Sequence, residues 1–373
     1  MSQKLKTTSQ RARREDVASV AGVSSAAVSY VLNKTKRLSP EVEQRVLDAA
    51  RLLNYRPDRI AQSLAGSRTH TLAYMTADIA NTYQLEVIKG MQTEALKNDY
   101  IVYIFDAAGD VKKYVSHLIT RRVDGIFVSA APDFLSDELL CELRDANIKV
   151  LADFSRSTFL PDVSYIMSDM YDGFMQAVGF LKELGHTEIG YLSAFDESCY
   201  YDLRLPAFKI AMRKLFGAGV PPIEFGGWPY STSETLGIRL MTKMLSEHPE
   251  VTAIVATNDL MALGAIKAAI ACGRRVPEDI SVIGIDNIDS SAVSKPSLTT
   301  LDQSGNRYGA KIFEILHNDI VAGTSGKYIV PMRLIKREST GTAPQNAENR
   351  IRKILANYKK FYKKVLTIRN SMI

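Results

Sequence analysis

The sequence contains few of the residues that build disulfide frames, zinc sites or membrane spans. Its 373 residues include three cysteines, Cys141, Cys199 and Cys272, which lie far apart and form no CxxC pair. This spacing argues against a disulfide framework and against a zinc site, and reduced, buried thiols are expected. No apolar run has the length of a membrane span, and the N-terminus lacks the apolar core of a signal peptide. A soluble, cytoplasmic protein without a membrane partner is therefore predicted.

The motifs of the common enzyme classes are also absent from the sequence. It contains no HExxH, P-loop or GxSxG motif, and no GxGxxG motif follows a predicted strand. The five histidines are scattered along the chain and form no evident catalytic group. The sequence therefore predicts a protein that is not an enzyme and that needs neither a cofactor nor a metal.

The charges that are present are distributed unevenly. Residues 1–68 contain 13 Lys and Arg against 6 Asp and Glu, and residues 341–373 contain 8 against 1. Residues 69–340 contain 26 against 34, so two basic ends flank an acidic body. A small basic segment joined to a larger acidic one indicates a domain that binds a polyanion, attached to a domain with another task.

The stretch DVASVAGVSSAAVSYVLN, residues 16–33, predicts two short helices joined by a tight turn. Gly22 permits the turn, Ser24 is a suitable N-cap for the second helix, and Ser39 and Pro40 begin a third. The side chains predicted to form the shared core are Val17, Ala18, Val20, Ala21, Ala27, Val28, Val31, Leu32, Val42, Val46, Ala49, Ala50 and Leu53. This is the helix-turn-helix pattern of DNA-binding proteins, although a plain three-helix bundle with a basic surface would show the same periodicity.

Strand-like and helix-like segments alternate between residues 70 and 340. Such alternation predicts βαβ units with parallel sheets, and the number of units favours two lobes over one compact sheet. The predicted strands are Leu72–Thr76, Ile101–Phe105, Gly125–Ser129, Lys149–Phe154, Ile189–Ser193, Ala253–Ala256 and Ser281–Ile285. The predicted helices cover residues 83–98, 136–147, 171–185, 204–216, 231–247 and 260–272.

Polar or aromatic residues at the carboxyl ends of these strands are candidates for a ligand site. Ligands of parallel α/β sheets bind beyond these strand ends, where carboxylates and amides can contact hydroxyl groups and an aromatic ring can cover an apolar face. Each of these residues could instead form an Asx turn or a helix cap. The candidates are Asp78, Asn81, Tyr83, Asp106, Ser129, Asp153, Asn258, Asp259, Asp286 and Asn287.

Several stretches resemble the lactose-repressor (LacI/GalR) family of bacterial transcriptional regulators. They are DVASVAGVSSAAVSYVLN, NYRPDRIAQSLAGSRTHTLAY, DGIFVSAAP, FLKELGHTEIGYLS, TAIVATNDLMALGAIKAAIACGRRVPEDISVIGIDN and PSLTTLDQ, in the family's order within residues 14–340. The resemblance implies a small all-α helix-turn-helix headpiece and a two-lobed α/β periplasmic-binding-protein-like domain with parallel sheets.

The resemblance also implies the domain boundaries. They are a headpiece at 1–56, a hinge helix and linker at 57–69, and an effector-binding and dimerisation domain at 70–340. Lobe 1 of that domain is expected at about 70–169 and 303–331, and lobe 2 at about 170–302 and 332–340. A basic amphipathic tail, 341–373, follows. It could join dimers into tetramers, or dock on the acidic body.

Specific residues take roles from this resemblance. Ligand contacts are implied for Asp153, Arg204, Asn258, Asp286 and Gln303, and a stacking role for Trp228. Tyr30 occupies a position where many family members have arginine, which puts one guanine contact in doubt. The residues predicted to approach DNA are Ser24, Ser25, Ala26, Ser29, Tyr30 and Asn33 in the headpiece, with Arg59, Ala61 and Leu64 in the hinge. Leu64 is expected to act as a wedge in the minor groove.

These observations together predict a homodimeric repressor of a carbohydrate-utilisation operon. Its partners would be double-stranded operator DNA and a small sugar-like effector that relieves repression. One alternative is a regulator whose ligand or protein co-repressor strengthens DNA binding. The other is a small-molecule binding protein or enzyme without gene regulation, which would have no use for a basic helix-turn-helix.

Overall fold

The structure is a computed structural model, and it describes residues 12–33, 36–55, 68–76, 79–107, 109–129, 135–153, 160, 162–199, 202–217, 219–227 and 232–344. The chain divides into two compact units, Met1–Thr69 and His70–Ile373. The first unit is all-helical and the second contains two parallel sheets where they are described.

The first unit contains three helices: α1 (Arg14–Ala21), α2 (Ser25–Asn33) and α3 (Pro40–Leu52). Gly22 ends α1 with a φ of 65°, a left-handed conformation that favours glycine. The Ser24 hydroxyl accepts a hydrogen bond of 3.2 Å from the Ala27 amide, which confirms Ser24 as the N-cap of α2. Ser39 occupies the N-cap position of α3, but its side chain makes no capping hydrogen bond.

A small apolar core holds these three helices together. Val17, Val28 and Val46 contribute one fully buried side chain from each helix. Val20 was predicted to join them but is 51% exposed. At about 100° of rotation per residue, Ala21 and Ala18 extend the buried face to one side of Val17, whereas Val20 lies roughly 60° away on the other side, at the edge of that face. The helix-turn-helix is therefore built around a narrower apolar stripe on α1 than the sequence suggested.

The second unit contains twelve strands and nine helices within its described residues. The strands are β1 (Thr71–Thr76), β2 (Ile101–Asp106), β3 (Gly125–Ser129), β4 (Lys149–Asp153), β5 (Val163–Ser168), β6 (Ile189–Ser193), β7 (Ile223–Phe225), β8 (Ala253–Ala256), β9 (Ser281–Asp286), β10 (Thr299–Asp302), β11 (Lys327–Val330) and β12 (Arg333–Ile335). The helices are α4 (Thr82–Lys97), α5 (Val111–Arg121), α6 (Asp137–Asp145), α7 (Met170–Glu183), α8 (Arg204–Phe216), α9 (Glu234–Glu247), α10 (Asp259–Ala271), α11 (Asp289–Val293) and α12 (Gly305–Ala322).

The strands form two six-stranded sheets, each of which defines a lobe. Lobe 1 has the order β11-β5-β4-β3-β1-β2, and lobe 2 has the order β12-β10-β9-β8-β6-β7. Neighbouring strands run parallel except that β12 is antiparallel to β10. Because β11 belongs to lobe 1 while β10 and β12 belong to lobe 2, the chain passes between the lobes three times. Polar side chains at the carboxyl ends of the strands of both sheets can therefore line one cleft between the lobes.

A closely packed pair of helices covers one face of each sheet. In lobe 1, a Cβ atom added to Gly309 of α12 would lie 1.9 Å from the Val87 carbonyl oxygen of α4. In lobe 2, a Cβ atom added to Gly264 of α10 would lie 2.1 Å from the Glu234 carbonyl oxygen of α9. Both glycines are therefore required because a side chain would force the helix backbones apart.

The three thiols are free, as predicted, but Cys141, Cys199 and Cys272 are partly rather than fully buried. Within the described part of the chain, no helix combines the length and the apolar character needed to cross a membrane.

Candidate functional site

The predicted ligand residues that the structure describes lie at the carboxyl ends of strands in both lobes. Ser129 and Asp153 are the last residues of β3 and β4, which are neighbours in lobe 1. Asp286 is the last residue of β9, and Gln303 directly follows β10, its neighbour in lobe 2. This arrangement is the one in which parallel α/β domains bind small molecules.

Gln84, which was not among the predicted site residues, connects side chains on the lobe 1 side of the site through hydrogen bonds. The hydroxyl of Tyr74 donates to Gln84 Oε1, and the hydroxyl of Ser129 donates to the same oxygen over 3.1 Å. Asp153, at the end of the neighbouring strand β4, accepts a hydrogen bond of 3.4 Å at Oδ1 from the hydroxyl of Tyr308 on α12. Two hydroxyl donors on one amide oxygen fix the Gln84 side chain. Its position directly after Tyr83, at the start of a helix that follows a strand, was the signal available in the sequence.

Three tyrosine hydroxyls on this side are neutral donors. Burial raises the pKa of Tyr83, and the carboxylates of Asp286 and Asp153 raise it further. Burial also raises the pKa of Tyr308, and the charge of Asp153 adds a smaller increase. Burial raises the pKa of Tyr74 as well. Because Tyr83 lies close enough to feel carboxylates from both lobes, its hydroxyl belongs to the cleft between them.

Asp286 and Gln303 form a buried pair on the lobe 2 side. Gln303 Nε2 donates to Asp286 Oδ1 over 2.7 Å, and the Asp286 side chain is almost fully buried. Burial raises the pKa of Asp286 to about 7, although Arg204 and Gln303 favour the charged form. The Asp286 carboxyl can therefore change its protonation state near neutral pH, which is common at functional sites.

Arg204 supplies the positive charge of the site. Its Nη1 atom lies 3.7 Å from Asp202 Oδ1, while its side chain is only 27% exposed. Its Nε atom is buried and has no hydrogen-bond partner among the described residues. Burial lowers the pKa of Arg204, whereas the charge of Asp202 raises it and the charges of Asp286 and Asp153 raise it further. Arg204 is thus paired with Asp202 of its own lobe, lies within electrostatic reach of carboxylates of both lobes, and has one buried donor available.

Asn258 lies in the same region but uses its side chain locally. Its Oδ1 atom accepts from the Met261 amide over 3.0 Å as the N-cap of α10, and its Nδ2 atom donates to the Thr232 carbonyl oxygen over 3.5 Å. This is the helix-cap alternative that the sequence left open. A ligand contact at Asn258 would replace the longer of these two bonds.

The headpiece residues predicted to contact DNA differ in exposure. Ala26 and Tyr30 are exposed on α2, whereas Ser25 and Ser29 are half-buried. The Ser25 hydroxyl donates to Glu15 Oε1 over 3.4 Å, and Lys36 Nζ lies 5.8 Å from the centre of the Tyr30 ring. The Ser24 hydroxyl is used for capping, and Asn33 is the last residue of α2.

Some predicted site residues lie outside the described part of the chain. They are Arg59, Ala61, Leu64, Asp78 and Trp228, together with residues 345–373 of the tail.

Each of the two units matches a known protein family. Residues 15–58 match the lacI family of bacterial regulatory proteins, and residues 178–340 match a periplasmic binding protein-like domain. The chain is 32% identical over 317 residues to the HTH-type transcriptional repressor PurR of Mannheimia succiniciproducens, covering 82% of this chain and 91% of that protein. The chain belongs to the lacI family of bacterial regulatory proteins.

Solved structures support the same assignment for this lacI-family protein. A lac repressor dimer bound to operator and the anti-inducer ONPF has a TM-score of 0.75 at 28% identity, covering 89% of this chain and 100% of that one. A complex of the transcriptional regulator CelR with cellobiose has a TM-score of 0.63 at 25% identity, covering 88% and 100%. The predicted family and fold class are confirmed, and the protein is a DNA-binding transcriptional regulator rather than an enzyme.

Proposed function

We propose that this lacI-family protein is a cytoplasmic homodimeric repressor, and that a small polyhydroxylated effector bound between its lobes relieves repression. The observation that carries the effector class is the buried Nε atom of Arg204, which has no hydrogen-bond partner among the described residues, within electrostatic reach of Asp286 and Asp153. A carboxylate accepts from two neighbouring hydroxyls and an arginine donates in a fixed fork, which suits a sugar. The neutral hydroxyl of Tyr83 adds a donor beside a flat apolar ring, and the Tyr308 hydroxyl, which donates to Asp153, can still accept from a ligand.

The related structures are consistent with this chemistry. CelR was solved with the disaccharide cellobiose, and the lac repressor was solved with operator and ONPF. A purine base is the second candidate, suggested by the name of the PurR repressors that match most of the chain. A purine would use the same polar groups with one of the tyrosine rings for stacking.

A ligand screen separates these candidates. Cellobiose, ribose, lactose, hypoxanthine and guanine are added separately to the full chain, and its melting temperature is recorded, because a ligand that binds the folded state raises it. Any compound that stabilises the protein is then added to an operator titration. The proposal expects a sugar to raise the melting temperature and to weaken operator binding. If a purine raises the melting temperature instead, the effector is a purine and not a sugar. If the bound compound strengthens operator binding, the effector is a co-repressor and not an inducer.

Operator binding by the headpiece is expected to depend steeply on salt. The cations of residues 1–68 should neutralise phosphates, and about six such contacts lower affinity by roughly a thousandfold between 50 and 200 mM salt. Replacing the exposed Lys36 and Arg37 with glutamine should reduce the slope of log affinity against log salt. Lys97→Gln, which removes a cation paired with Glu94 on α4, is the control and should leave the slope unchanged. A flat salt response of the unmodified protein would contradict the proposal.

The exposed edge of lobe 1 is proposed as the dimer interface. β2 is an edge strand, and Ile101, Tyr103 and Ile104 expose apolar side chains on it. Leu85 and Leu96 of α4, the helix before it, are exposed as well. An unpaired edge with apolar side chains is a template for association, and a near-palindromic operator needs two headpieces.

The dimer proposal is tested by sedimentation equilibrium. Ile104→Lys should convert the dimer into monomers because it places a charge in an apolar contact, and operator affinity should fall with it. Val220→Lys is the matched control, since Val220 is an exposed apolar residue of lobe 2. A variant at Ile104 that remains dimeric would move the interface elsewhere.

The remaining segments take their proposed roles from the family. Residues 57–69 would form the hinge between headpiece and lobes, with Leu64 as a wedge that kinks the operator. The basic tail would either join dimers or dock on the acidic body. Ser25 and Ala26 are proposed to reach base edges, with the hydroxyl of Ser25 leaving Glu15 to do so.

A further inference from the structure

Two apolar side chains of lobe 2, one buried and one partly buried, pack against the apolar core of lobe 1. Ile288, which follows β9, is 2% exposed and packs in a cluster whose other buried members, including Tyr83, Val87 and Tyr308, belong to lobe 1. Leu260 of α10 packs against the same cluster. Ile288 and Leu260 are here called the interlobe plug.

Each residue of the plug lies two positions after a candidate ligand residue. Ile288 follows Asp286, and Leu260 follows Asn258. Two residues span about 7 Å at most, so a shift of the Asp286 backbone cannot be absorbed over a long loop before it reaches Ile288. Closely packed cores have little free volume, and a moved Ile288 must therefore displace its neighbours in lobe 1.

The backbone between Asp286 and Ile288 is held in an unfavourable conformation. Asp286 has a φ of 118° and Asn287 a φ of 59°, both in the region that side chains disfavour. Such a conformation persists only where surrounding contacts impose it. Here Arg337 Nη2 donates to Asn287 Oδ1 over 2.6 Å, and the Asn287 amide donates to Thr300 Oγ1 over 3.3 Å.

Asp259 joins the two loops that carry the plug. Its side chain is fully buried, and its Oδ2 atom accepts from the Ile288 amide over 3.0 Å. Its Oδ1 atom accepts from the Thr300 hydroxyl, which also accepts from Asn287. Asp259 lies between Asn258 and Leu260 in sequence, so this carboxylate connects the loop of Asn258 to the loop of Asp286.

We infer that the interlobe plug transmits movement of the ligand residues Asp286 and Asn258 to lobe 1, with Asp259 as the positioning residue that makes the two loops move together. The inference deepens the proposed function, on which it rests, by naming the contact through which an effector changes the angle between the lobes. In the absence of effector, the fit of Ile288 in lobe 1 sets that angle.

The test measures the angle between the lobes in the full chain without ligand or DNA. Spin labels are attached at exposed positions on the two lobes, Ser116 of α5 and Thr242 of α9, after the three native cysteines are replaced by serine. Pulsed electron resonance then gives the distribution of distances between the labels. Ile288→Val removes one methylene from the plug and is expected to displace and broaden this distribution. Asp259→Asn is expected to change it in the same direction.

Ile280→Val is the matched control, because Ile280 is fully buried inside lobe 2 and precedes the same strand β9. It should lower the melting temperature about as much as Ile288→Val and leave the distance distribution unchanged. Equal distributions in Ile288→Val, Ile280→Val and the unmodified chain would overturn the inference and make Ile288 an ordinary core residue. Since the measurement uses no DNA and no effector, its outcome is independent of whether the proposed repression is correct.

Operator titration of the same variants supplies a second readout. If the plug sets the angle, Ile288→Val changes operator affinity in the absence of effector, whereas Ile280→Val does not. In the double variant of Ile288→Val and Asp259→Asn, the two effects should not add, because both act through one loop. Additive effects with a normal distance distribution would also overturn the inference.

Discussion

Replacing Arg204 with alanine is expected to weaken effector binding by roughly 2–5 kcal/mol, or about 30- to 4,000-fold in dissociation constant. Arg204 is partly buried, its Nε atom has no acceptor among the described residues, and its charge acts on Asp153 and Asp286. An effector oxygen that accepts from Nε would satisfy a buried donor. Loss of Arg204 therefore leaves that effector oxygen without its donor and removes the positive charge near Asp153 and Asp286. Operator affinity in the absence of effector should be retained.

Calorimetric titration with a compound found by the ligand screen measures this effect. Arg213→Ala is the control, because Arg213 lies in the last turn of the same helix, α8, and is exposed. Arg204→Lys keeps the charge but not the fork of donors, and an intermediate loss of affinity is expected. If Arg204→Ala binds the compound as the unmodified protein does, the cleft between the lobes is not the effector site.

The elements of the second unit could be predicted from the sequence wherever one periodicity dominates. The buried strands β1, β3, β6 and β8 are largely apolar runs that end in a polar residue or are followed directly by one, and each was predicted within a residue of its bounds. α12 was missed because it begins with Gly305 and contains Gly309, and glycine is a poor helix former. The contact of Gly309 with the backbone of α4 explains the glycine, but this contact is between segments distant in sequence.

The composition of the site was less accessible from the sequence. Asp153 and Asp286 could be found because they end strands, whereas Gln84 and Tyr308 lie within helices. Their roles depend on hydrogen bonds to Tyr74, Ser129 and Asp153, which no local pattern encodes. In the sequence, the plug residue Ile288 is an ordinary apolar residue after a strand, and only the fold shows that it packs in the core of the other lobe.

Asn258 illustrates the opposite case, in which a local pattern has two physical explanations. An asparagine between a strand and a helix can bind a ligand or cap the helix, and the sequence permits both. The structure shows the cap through the Met261 amide and a second bond to Thr232. The ligand role of Asn258 therefore stays a prediction, with a weaker geometric basis than that of Asp286.

Asp286→Asn is expected to stabilise the protein at alkaline pH while it weakens effector binding. Burial raises the pKa of Asp286 from 3.8 to about 7 in the folded protein. A carboxyl whose pKa is raised by folding stabilises the folded state most when it is protonated, and this contribution is lost as pH rises from 3.8 through 7. Compared with a carboxyl whose pKa stays at 3.8 on folding, this shift lowers the unfolding free energy by on the order of 4 kcal/mol at pH 8 and by about 2 kcal/mol at pH 5.5.

Asparagine has nearly the shape of aspartate and keeps an oxygen that can accept from Gln303, but it cannot ionise. The gain in unfolding free energy from Asp286→Asn should therefore be as much as about 4 kcal/mol at pH 8 and should shrink toward pH 5.5. Urea unfolding of both proteins across this range measures the gain. Asp289→Asn, which alters an exposed carboxyl at the start of the following helix α11, is the control and should show no such trend.

The same variant separates the charge of Asp286 from its shape in effector binding. The ionised carboxylate accepts two hydroxyl bonds and faces Arg204, and an amide offers one acceptor without charge. Effector affinity of the unmodified protein should therefore rise with pH through about 7. The affinity of Asp286→Asn should be lower and independent of pH in this range. A pH-independent gain in stability, or a variant that still binds more tightly as pH rises, would show that another group titrates and that Asp286 is not the charged acceptor of the site.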